Sequence, residues 1–499
     1  MKLGVDMGTT RTLVATVDRG NYPVVTFIDD DGDAHEHFPS VVAAKDGALV
    51  YGFAALAAAR EGAPLLRSFK RALASADVNG AELVRVGDVE VRLLDLLTGF
   101  LEAMLEALKK KSNVSRRKMD TLDTVIAVPA HAHGAQRYLT LEAFKRAGFH
   151  VKAMINEPSA AGFEYTQRQG KTVSSKRTRV VVYDLGGGTF DASLVKVDGV
   201  RHEVLGTTGL NRLGGDDFDS VLLKCALDEA GKPTLDARAR AALLDQCRDA
   251  KERITPQSKR IALDVNDELV SVAVEEFYEC AAGLVEETVN AMRPLLGKLD
   301  AVSDDEALSD IAGIYLVGGA SGLPLVARVL KERFGRRVHR SPHPAASTAI
   351  GLAIAADDDA GFALTDRLSR SFGVFRESNA GKAVAFDPIF LPDAAVPSSG
   401  KIVVSRRYRA AHNVGHFRFV ECTAIDGGEP RGDLVPFAEV LFPFDPALRD
   451  RDDLHAVAVQ RVGDGPEIEE RYVIDAHGLV EVEIADVKTG YRQTHRIGG

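Results

Sequence analysis

Two glycine–threonine loops constrain the fold of this sequence more than any other feature. Residues 4–10 (GVDMGTT) and 184–191 (DLGGGTFD) each follow an apolar run, 1–5 and 180–183, that is typical of a buried strand. Glycine lets the backbone turn tightly and leaves consecutive amides open to an anion. Because the loops lie about 180 residues apart, they predict a duplicated lobe with a nucleotide polyphosphate between the two copies.

The loops also supply groups that suit a triphosphate and its cation. The hydroxyls of Thr9 and Thr189 can donate hydrogen bonds to phosphate oxygens. Asp6 and Asp184 end the two strands, and a carboxylate there can hold a hydrated magnesium ion through its water shell. ATP and Mg²⁺ are therefore the expected ligands.

The sequence contains neither a G-x-x-x-x-G-K-[ST] loop nor a Rossmann fingerprint after its first strand. A third glycine turn follows the apolar run 311–317 and contains Gly318, Gly319 and Gly322. A loop of this kind between a strand and a helix can cover the ribose or base side of a nucleotide. The sequence thus predicts a nucleotide site built from three separate glycine loops.

Hydrolysis of a phosphoanhydride needs charge neutralisation, a positioned water and in-line geometry. Lys70, in the segment SFKR, can supply a cation near the transferred phosphoryl group. Glu157 and Asp191 can order water or the shell of the metal. Each residue alone is weak support, since a glutamate before proline usually starts a helix. Their combination with both loops favours catalysis.

Length and composition indicate more than one domain. A chain of 499 residues, 45% hydrophobic and 27% charged, is too long for one core. Residues 1–356 alternate strand-like and helix-like segments, which predicts an α/β nucleotide-binding domain. We expect an interdomain linker at 357–366 and an all-β domain at 367–499.

The all-β domain is predicted from short strand-like runs separated by Gly, Pro and Asp. Residues 475–478 (DAHG), between two alternating runs, indicate a hairpin. The expected strands include residues 401–404, 416–421, 437–442, 454–460, 467–474 and 479–484.

Charge and cysteine content limit the partners and the compartment. A formal net charge of −10 argues against nucleic acid and against an anionic membrane. Cys225, Cys247, Cys280 and Cys422 have no CxxC spacing, which suits a reducing compartment. No apolar stretch of signal-peptide or membrane-spanning length occurs. We therefore expect a cytoplasmic protein.

The chain resembles the seventy-kilodalton heat-shock chaperone family of the bacterial type. The runs NEPSAA and DLGGGTFD are its most specific matches. The resemblance implies an actin-like, ribonuclease-H-like duplicated α/β ATPase domain of two lobes, followed by an all-β sandwich domain. The matching segments, in the family's order, are residues 4–10, 69–71, 128–129, 136–137, 155–161, 184–191, 214–219 and 316–319.

The resemblance also implies roles for individual residues. Lys70 would be the catalytic lysine, and Glu157 and Asp191 would be acid–base or water-ordering groups. Asp6 and Asp184 would complete the catalytic set on the magnesium side. The implied nucleotide-binding residues are Gly8, Thr9, Thr10, Arg11, Gly187, Gly188, Thr189, Gly214, Gly215, Arg248, Lys251, Glu252, Thr255, Gly318, Gly319 and Gly322.

The segment after the linker resembles the family's peptide-binding β-sandwich, most clearly at residues 468–484. Unfolded or apolar peptide segments would bind there through main-chain hydrogen bonds and a small pocket. Val384 and Phe386 are candidate lining residues, although a buried core strand suits either of them equally well. A J-domain co-chaperone and a nucleotide-exchange factor are further implied partners.

The sequence departs from the family pattern around the expected adenine. Gly322 stands where the family usually has an arginine that stacks on adenine, and Glu252 where a second basic residue is common. Arg11 replaces a more common aromatic or polar residue in the first loop. We expect the adenine to be held differently while the phosphate clamp stays intact.

Two further departures concern the coupling of the domains. The linker segment AGFALTD is less apolar than the leucine-rich family version, so weaker interdomain coupling is expected. The sequence ends at Gly499, shortly after the last strand, which leaves no room for the family's helical lid. A lidless sandwich should release bound peptide faster.

The leading hypothesis is an ATP-hydrolysing chaperone that binds apolar segments through a lidless β-sandwich. The alternative is a nucleotide-gated adaptor or regulator with one specific protein partner and little or no turnover. The missing lid and altered adenine loop favour this alternative, whereas Lys70, Glu157 and both phosphate loops count against it. A small-molecule kinase would share the core fold, but the trailing β domain disfavours it.

Overall fold

The structure is a computed structural model of the chain. It describes residues 1–115, 117, 121–174, 176–296, 310–391, 394–396 and 400–496. The chain is mixed α/β as far as residue 356 and consists mainly of strands after residue 363. Within these described ranges, no helix is both long and apolar enough to cross a membrane.

The first lobe is built on a sheet with strand order β12-β11-β1-β2-β5. Strands β1 and β2 are antiparallel and flank the first glycine loop, whereas β11 and β12 run parallel to β1. The lobe contains β1 (Lys2–Met7), β2 (Arg11–Thr16), β3 (Phe27–Ile28), β4 (Ala34–His35), β5 (Phe38–Pro39), β6 (Val41–Lys45), β7 (Ala48–Tyr51), α1 (Phe53–Arg60), β8 (Leu65–Arg67), β9 (Leu83–Val86), β10 (Val89–Arg92), α2 (Leu93–Lys110), β11 (Asp123–Val128), α3 (Gly134–Arg146), β12 (His150–Asn156) and α4 (Glu157–Gln169).

The second lobe is built on a sheet with order β19-β18-β13-β14-β15-β20. Here β13 and β14 are antiparallel around the second glycine loop, and β18 and β19 run parallel to β13. The lobe contains β13 (Arg179–Leu185), β14 (Phe190–Asp198), β15 (Arg201–Leu210), α5 (Gly215–Glu229), α6 (Ala237–Glu252), β16 (Arg260–Val265), β17 (Glu268–Ala273), α7 (Val274–Ala291), α8 (Arg293–Leu296), β18 (Ile311–Val317), α9 (Pro324–Phe334), β19 (Val338–Arg340), α10 (Ser347–Ala356) and β20 (Ala363–Thr365).

The two sheets repeat one pattern of strands. In each, a hairpin closes around a glycine loop and two parallel strands extend the sheet on the side of the first hairpin strand. The central strands are buried on both faces, which is why they consist of apolar runs such as 311–317. The predicted duplication is therefore visible in the topology.

Although α10 follows the second lobe in the chain, it packs on β1 of the first sheet and crosses α4, which itself packs on β13 and β14 of the second sheet. A Cβ added to Gly351 would lie 1.8 Å from the carbonyl oxygen of Ala160, and one added to Gly4 would lie 2.3 Å from the nitrogen of Ala353. Only residues without a side chain allow such backbone contact. The crossing of α4 and α10, where the two lobes meet, thus depends on Gly351, and the packing of α10 on β1 depends on Gly4.

The remaining strands form two antiparallel four-stranded sheets, ordered β22-β21-β24-β25 and β23-β26-β27-β28 among the described residues. A shared apolar core lies between them and includes Phe372, Phe419, Phe442, Tyr472 and Ile484. The strands are β21 (Ser371–Ser378), β22 (Ala383–Phe390), β23 (Lys401–Arg409), β24 (Val414–Asp426), β25 (Glu429–Pro443), β26 (Glu467–Asp475), β27 (Val480–Asp486) and β28 (Arg492–Arg496).

One predicted strand of this module is wrong. Residues 454–460 form no strand in the described part of the chain. The Asp453 carboxylate instead accepts hydrogen bonds from the His455 and Ala456 amides in a turn. Apolar alternation therefore did not lead to pairing at this position. The other listed runs lie in strands, and the predicted hairpin at 475–478 joins β26 to β27.

The segment between the α/β part and the β module lies against both lobes. Strand β20 extends the second sheet parallel to β15, with Leu364 opposite His202. The Asp366 carboxylate accepts a hydrogen bond of 3.0 Å from the Asn156 side chain. In the β module, Glu421 accepts the Gly134 amide at 3.0 Å. The division into domains at 356 and 367 stays a prediction.

The glycine contact of α10 gives a matched pair of variants. Gly351→Ala is expected to destabilise the protein by about 1–3 kcal/mol, because its methyl group would overlap the carbonyl oxygen of Ala160. Gly283→Ala in α7 is the control, since no described atom lies within 4 Å of its added Cβ. The control should be neutral or stabilising by up to about 1 kcal/mol. Urea unfolding measures both, and equal effects would contradict the tight packing.

A buried histidine predicts a pH dependence of stability. Burial lowers the pKa of His202 to about 4, and its ring lies 4.8 Å from that of Phe163. Since the folded pKa is below the unfolded value, the stabilisation by the neutral ring is complete above about pH 6.5 and is lost as the pH falls towards 4. The loss amounts to at most about 3 kcal/mol.

Denaturation at a series of pH values tests this dependence. His202→Phe should flatten the decrease of the unfolding free energy between pH 6.5 and 4, because the titrating group is gone. His455→Phe, at an exposed position, should leave it unchanged. Superimposable profiles for the wild type and His202→Phe would show that His202 does not titrate as expected.

Candidate active site

The two predicted glycine loops line one cavity of about 470 Å³ between the lobes. Asp6 and Asp184, at the ends of β1 and β13, both contribute to its wall. A Cβ added to Gly187 would lie 2.9 Å from Cγ2 of Thr10, so the loops touch each other. The cavity therefore has the twin-loop geometry that the sequence predicts.

The structure brings most of the predicted site residues together. Gly188, Gly214 and Asp191 do not line the cavity. The predicted residues that do are Asp6, Gly8, Thr9, Thr10, Arg11, Lys70, Glu157, Asp184, Gly187, Thr189, Gly215, Arg248, Lys251, Glu252, Thr255, Gly318, Gly319 and Gly322.

Gly188 and Gly214 shape the wall rather than line it. A Cβ on Gly214 would lie 2.6 Å from the Gly188 nitrogen, so the start of α5 packs on the second loop through bare backbone. The Gly215 and Asp216 amides donate to the carbonyls of Gly186 and Gly187, at 2.9 and 2.8 Å. These contacts hold the second loop against the helix that follows it.

A buried ion pair lies beside the loops. The Lys70 ammonium donates to the Glu157 carboxylate at 2.9 Å, and both side chains are buried. Burial alone would lower the pKa of Lys70, but the negative charges of Glu157 and Asp6 outweigh it and the pKa is raised. Lys70 is therefore a permanent cation in the cavity wall.

The surrounding aspartates carry more negative charge than Lys70 can neutralise. Burial and the charge of Glu157 raise the pKa of Asp6 to about 7 and that of Asp191 to about 8. The same causes, with the charges of Asp6 and Asp191, raise the pKa of Asp184 well above its usual value. An added cation is thus electrostatically favoured at this place.

Asp191 has a position that the sequence did not predict. Its carboxylate is buried and accepts the Ala130 amide at 2.9 Å, outside the cavity lining. Its negative charge still helps to raise the pKa of Lys70. Asp191 therefore lies behind the cavity wall, bound to the Ala130 amide, and does not contact the cavity directly.

The donor set fits magnesium bound through water. Asp6 and Asp184 offer carboxylate oxygens, the ligands that suit Mg²⁺, and this ion usually keeps several of its waters. Among the residues that the structure describes, no three His, Cys, Asp or Glu side chains converge to hold an ion directly. The carboxylates of Asp6 and Asp184 thus suit the water-mediated magnesium site that the sequence predicts.

Two predicted cations of α6 are tied to carboxylates at the start of α5. Lys251 donates to the Gly215 carbonyl at 2.6 Å and pairs with Asp219 at 2.5 Å. Arg248 lies 3.4 Å from both Asp216 and Asp219. Asp216 and Asp219 were not predicted as site residues, although both belong to the run GGDDFD, which matches the family pattern.

Two departures from the family pattern contact each other. Arg11, from the first loop, forms an ion pair with Glu252 at the end of α6. A second ion pair between these two parts of the chain joins Arg67 to Asp245 at 2.8 Å. Since the two residues of each pair come from different lobes, both pairs hold the lobes together across the cavity.

The far end of the cavity was only partly predicted. The sequence named Thr255 and the third glycine loop, whereas Ile254, Pro256, Leu323 and Pro324 also line this end. These apolar side chains offer flat surfaces to a ring system. No local motif marks them, because they come from two distant segments.

The two candidate peptide-binding residues, Val384 and Phe386, differ in exposure in the structure. Val384 is 58% exposed and lines a groove of about 530 Å³ with Phe375, Phe419 and Phe437. Phe386 is a correction: it is buried, and its ring packs against Phe375 at 5.5 Å. Phe386 lies on the same face of β22 as Val384, outside the core between the two sheets, and is buried because its ring covers Gly373 of the neighbouring strand.

Comparison with known proteins identifies the family. The family model described as Hsp70 protein matches residues 96–382. Chaperone protein HscA of Enterobacter sp. (strain 638) is 29% identical over 518 residues, with 100% of this chain and 78% of the relative covered. HscA of Citrobacter koseri is 30% identical over 508 residues, with 98% and 76% covered. Chaperone protein DnaK of Mycoplasmopsis synoviae is 29% identical over 512 residues, with 99% and 78% covered.

The chain therefore belongs to the Hsp70 family, whose bacterial members it resembles over its full length. Proteins of this family are chaperones and ATPases, with a two-lobed actin-like domain before a β-sandwich. The order of architectures in this chain, mixed α/β and then strands, agrees with that description.

The pair Arg11–Glu252 predicts an effect on nucleotide release. Glu252→Ala removes an ion pair between the lobes, so the dissociation rate of a fluorescent ADP should rise roughly two- to five-fold. Stopped-flow displacement measures this rate. The control is Glu61→Ala, which removes the exposed Lys45–Glu61 pair on the first lobe. If both variants release ADP at the wild-type rate, the pair does not restrain the lobes.

Proposed function

We propose that this protein is an ATP-hydrolysing chaperone that binds apolar peptide segments in a nucleotide-dependent way. The observation that carries the proposal is the meeting of both glycine loops, Lys70 and Glu157 on one cavity. Family membership supports it, since the matched relatives are named as chaperones.

The proposed reaction transfers the γ-phosphoryl group of ATP to water. The amides of the two loops bind the phosphates, and the Lys70 ammonium stabilises charge on the transferred group. Glu157 holds Lys70 and, with Asp191 behind the wall, orders the attacking water or the water shell of the metal. Magnesium, when bound through waters on Asp6 and Asp184, neutralises charge on the phosphates.

Contacts between the cavity and the β module support nucleotide-dependent coupling. Asn156 precedes Glu157 directly, and its side chain contacts both Asp366 and the Arg137 guanidinium. Arg137 in turn donates to the His477 carbonyl of the β module at 3.4 Å. A shift of Glu157 on hydrolysis therefore reaches the connecting segment and the module through adjacent residues.

The groove that contains Val384 is the proposed contact for apolar segments. A J-domain co-chaperone and a nucleotide-exchange factor as partners, and a cytoplasmic location, belong to the same proposal. So do the domain limits 1–356, 357–366 and 367–499.

Single-turnover ATP hydrolysis, with and without an apolar peptide, tests this function. Wild type should hydrolyse ATP, and the peptide should accelerate it. Lys70→Ala should reduce the rate at least about 100-fold, because the charge on the transferred phosphoryl group loses its cation. The exposed Lys45→Ala serves as the control.

The other outcomes are equally informative. ATP binding without turnover, together with tight binding of one protein partner, would indicate the adaptor instead. Loss of the peptide effect alone would reject coupling but not ATP hydrolysis. Absence of ATP binding by the wild type would overturn the proposed function altogether.

A further inference from the structure

The cavity contains one cation whose charge is not satisfied by the protein. Four of its lining cations, Arg11, Lys70, Arg248 and Lys251, form ion pairs with carboxylates. Arg340 also lines the cavity, and its side chain has no hydrogen bond or ion pair among the described residues. Its guanidinium is therefore available to a ligand.

Arg340 lies at the end of the cavity away from the phosphate loops. Together with Thr255, Pro256 and Pro324 it also lines a neighbouring cavity of about 650 Å³, which residues of the two phosphate loops do not line. Phosphates bound on the loops would therefore place the base near Arg340. The apolar side chains at this end suit a flat ring.

The backbone of Arg340 is fixed beside the third glycine loop. Arg340 pairs with Leu316 in the parallel contact of β19 and β18. The Ser341 amide donates to the Leu316 carbonyl at 3.1 Å, and the Gly318 amide donates to the Pro344 carbonyl at 2.8 Å. The sheet thus holds the backbone of Arg340, from which the side chain extends, in a rigid position.

The Arg340 guanidinium lies directly beside Gly322 of the third glycine loop. A Cβ at Gly322 would lie 3.4 Å from Nη2 of Arg340, and no other described atom lies within 4 Å of it. The φ of Gly322 is not positive, so its backbone does not require glycine. Since 3.4 Å is an ordinary van der Waals distance, the Arg340 guanidinium occupies the side of the third loop towards which a side chain at position 322 would project.

We propose that Arg340 is a base-contacting residue of the nucleotide site, with its guanidinium against the adenine ring. A planar guanidinium binds an aromatic face through stacking and cation–π attraction. This inference rests on the proposed function, since it requires that the cavity binds ATP.

Two ligands separate a base contact from a phosphate contact. Arg340→Ala in the full chain should weaken ATP binding roughly five- to thirty-fold and leave binding of tripolyphosphate, which has no base, within about two-fold. Isothermal titration calorimetry measures both affinities. Arg336→Ala, which removes the same charge from an exposed position outside the cavity, should change neither.

A second variant moves the guanidinium to the adjacent loop. Gly322→Arg combined with Arg340→Ala should restore most of the ATP affinity, because the open position at Gly322 accepts a side chain once Arg340 is removed. This rescue also excludes misfolding as the cause of the loss. Equal weakening of ATP and tripolyphosphate, or an unchanged ATP affinity in Arg340→Ala, would overturn the proposal. If the wild type binds tripolyphosphate but not ATP, the proposed function fails as well.

Discussion

Close backbone contact between the two lobes is the constraint on which this structure depends. Helix α10 packs on β1 at Gly4 and crosses α4, which packs on the second sheet, at Gly351, while within the second lobe the glycine loop packs on α5 at Gly214, all at distances that no side chain permits. These contacts bring the ends of β1 and β13 to one cavity. Without them the two loops would be separate anion sites, and a triphosphate could not contact both.

Bringing the ends of β1 and β13 together is electrostatically unfavourable. Asp6, Glu157, Asp184 and Asp191 are brought around one ammonium group, and burial with mutual repulsion raises the pKa of each of the three aspartates. Such a cluster destabilises the empty protein and favours a cationic or cation-carrying ligand. The charge imbalance therefore has a functional meaning, since a magnesium–nucleotide complex is the kind of ligand that relieves it.

The junction of β12 and α4 connects this cavity to the β module. Asn156 ends the strand and contacts the connecting segment, while Glu157 begins the helix and holds Lys70. Contact with the connecting segment and contact with Lys70 are thus made by two consecutive residues, Asn156 and Glu157. A connecting segment with few leucines still packs here, because β20 pairs with β15 and the Phe362 ring lies 5.3 Å from that of Phe163.

The sequence alone determined what local patterns control. Glycine loops, strand ends and apolar periods need only neighbouring residues, so the strand at 311–317 and both phosphate loops were predictable. Tertiary structure decided everything that depends on distant partners. It kept 454–460 out of the sheets, buried Phe386, joined Arg11 to Glu252 and placed Arg340 beside Gly322. No spacing in the chain encodes such contacts, because they arise only when separate elements pack on each other.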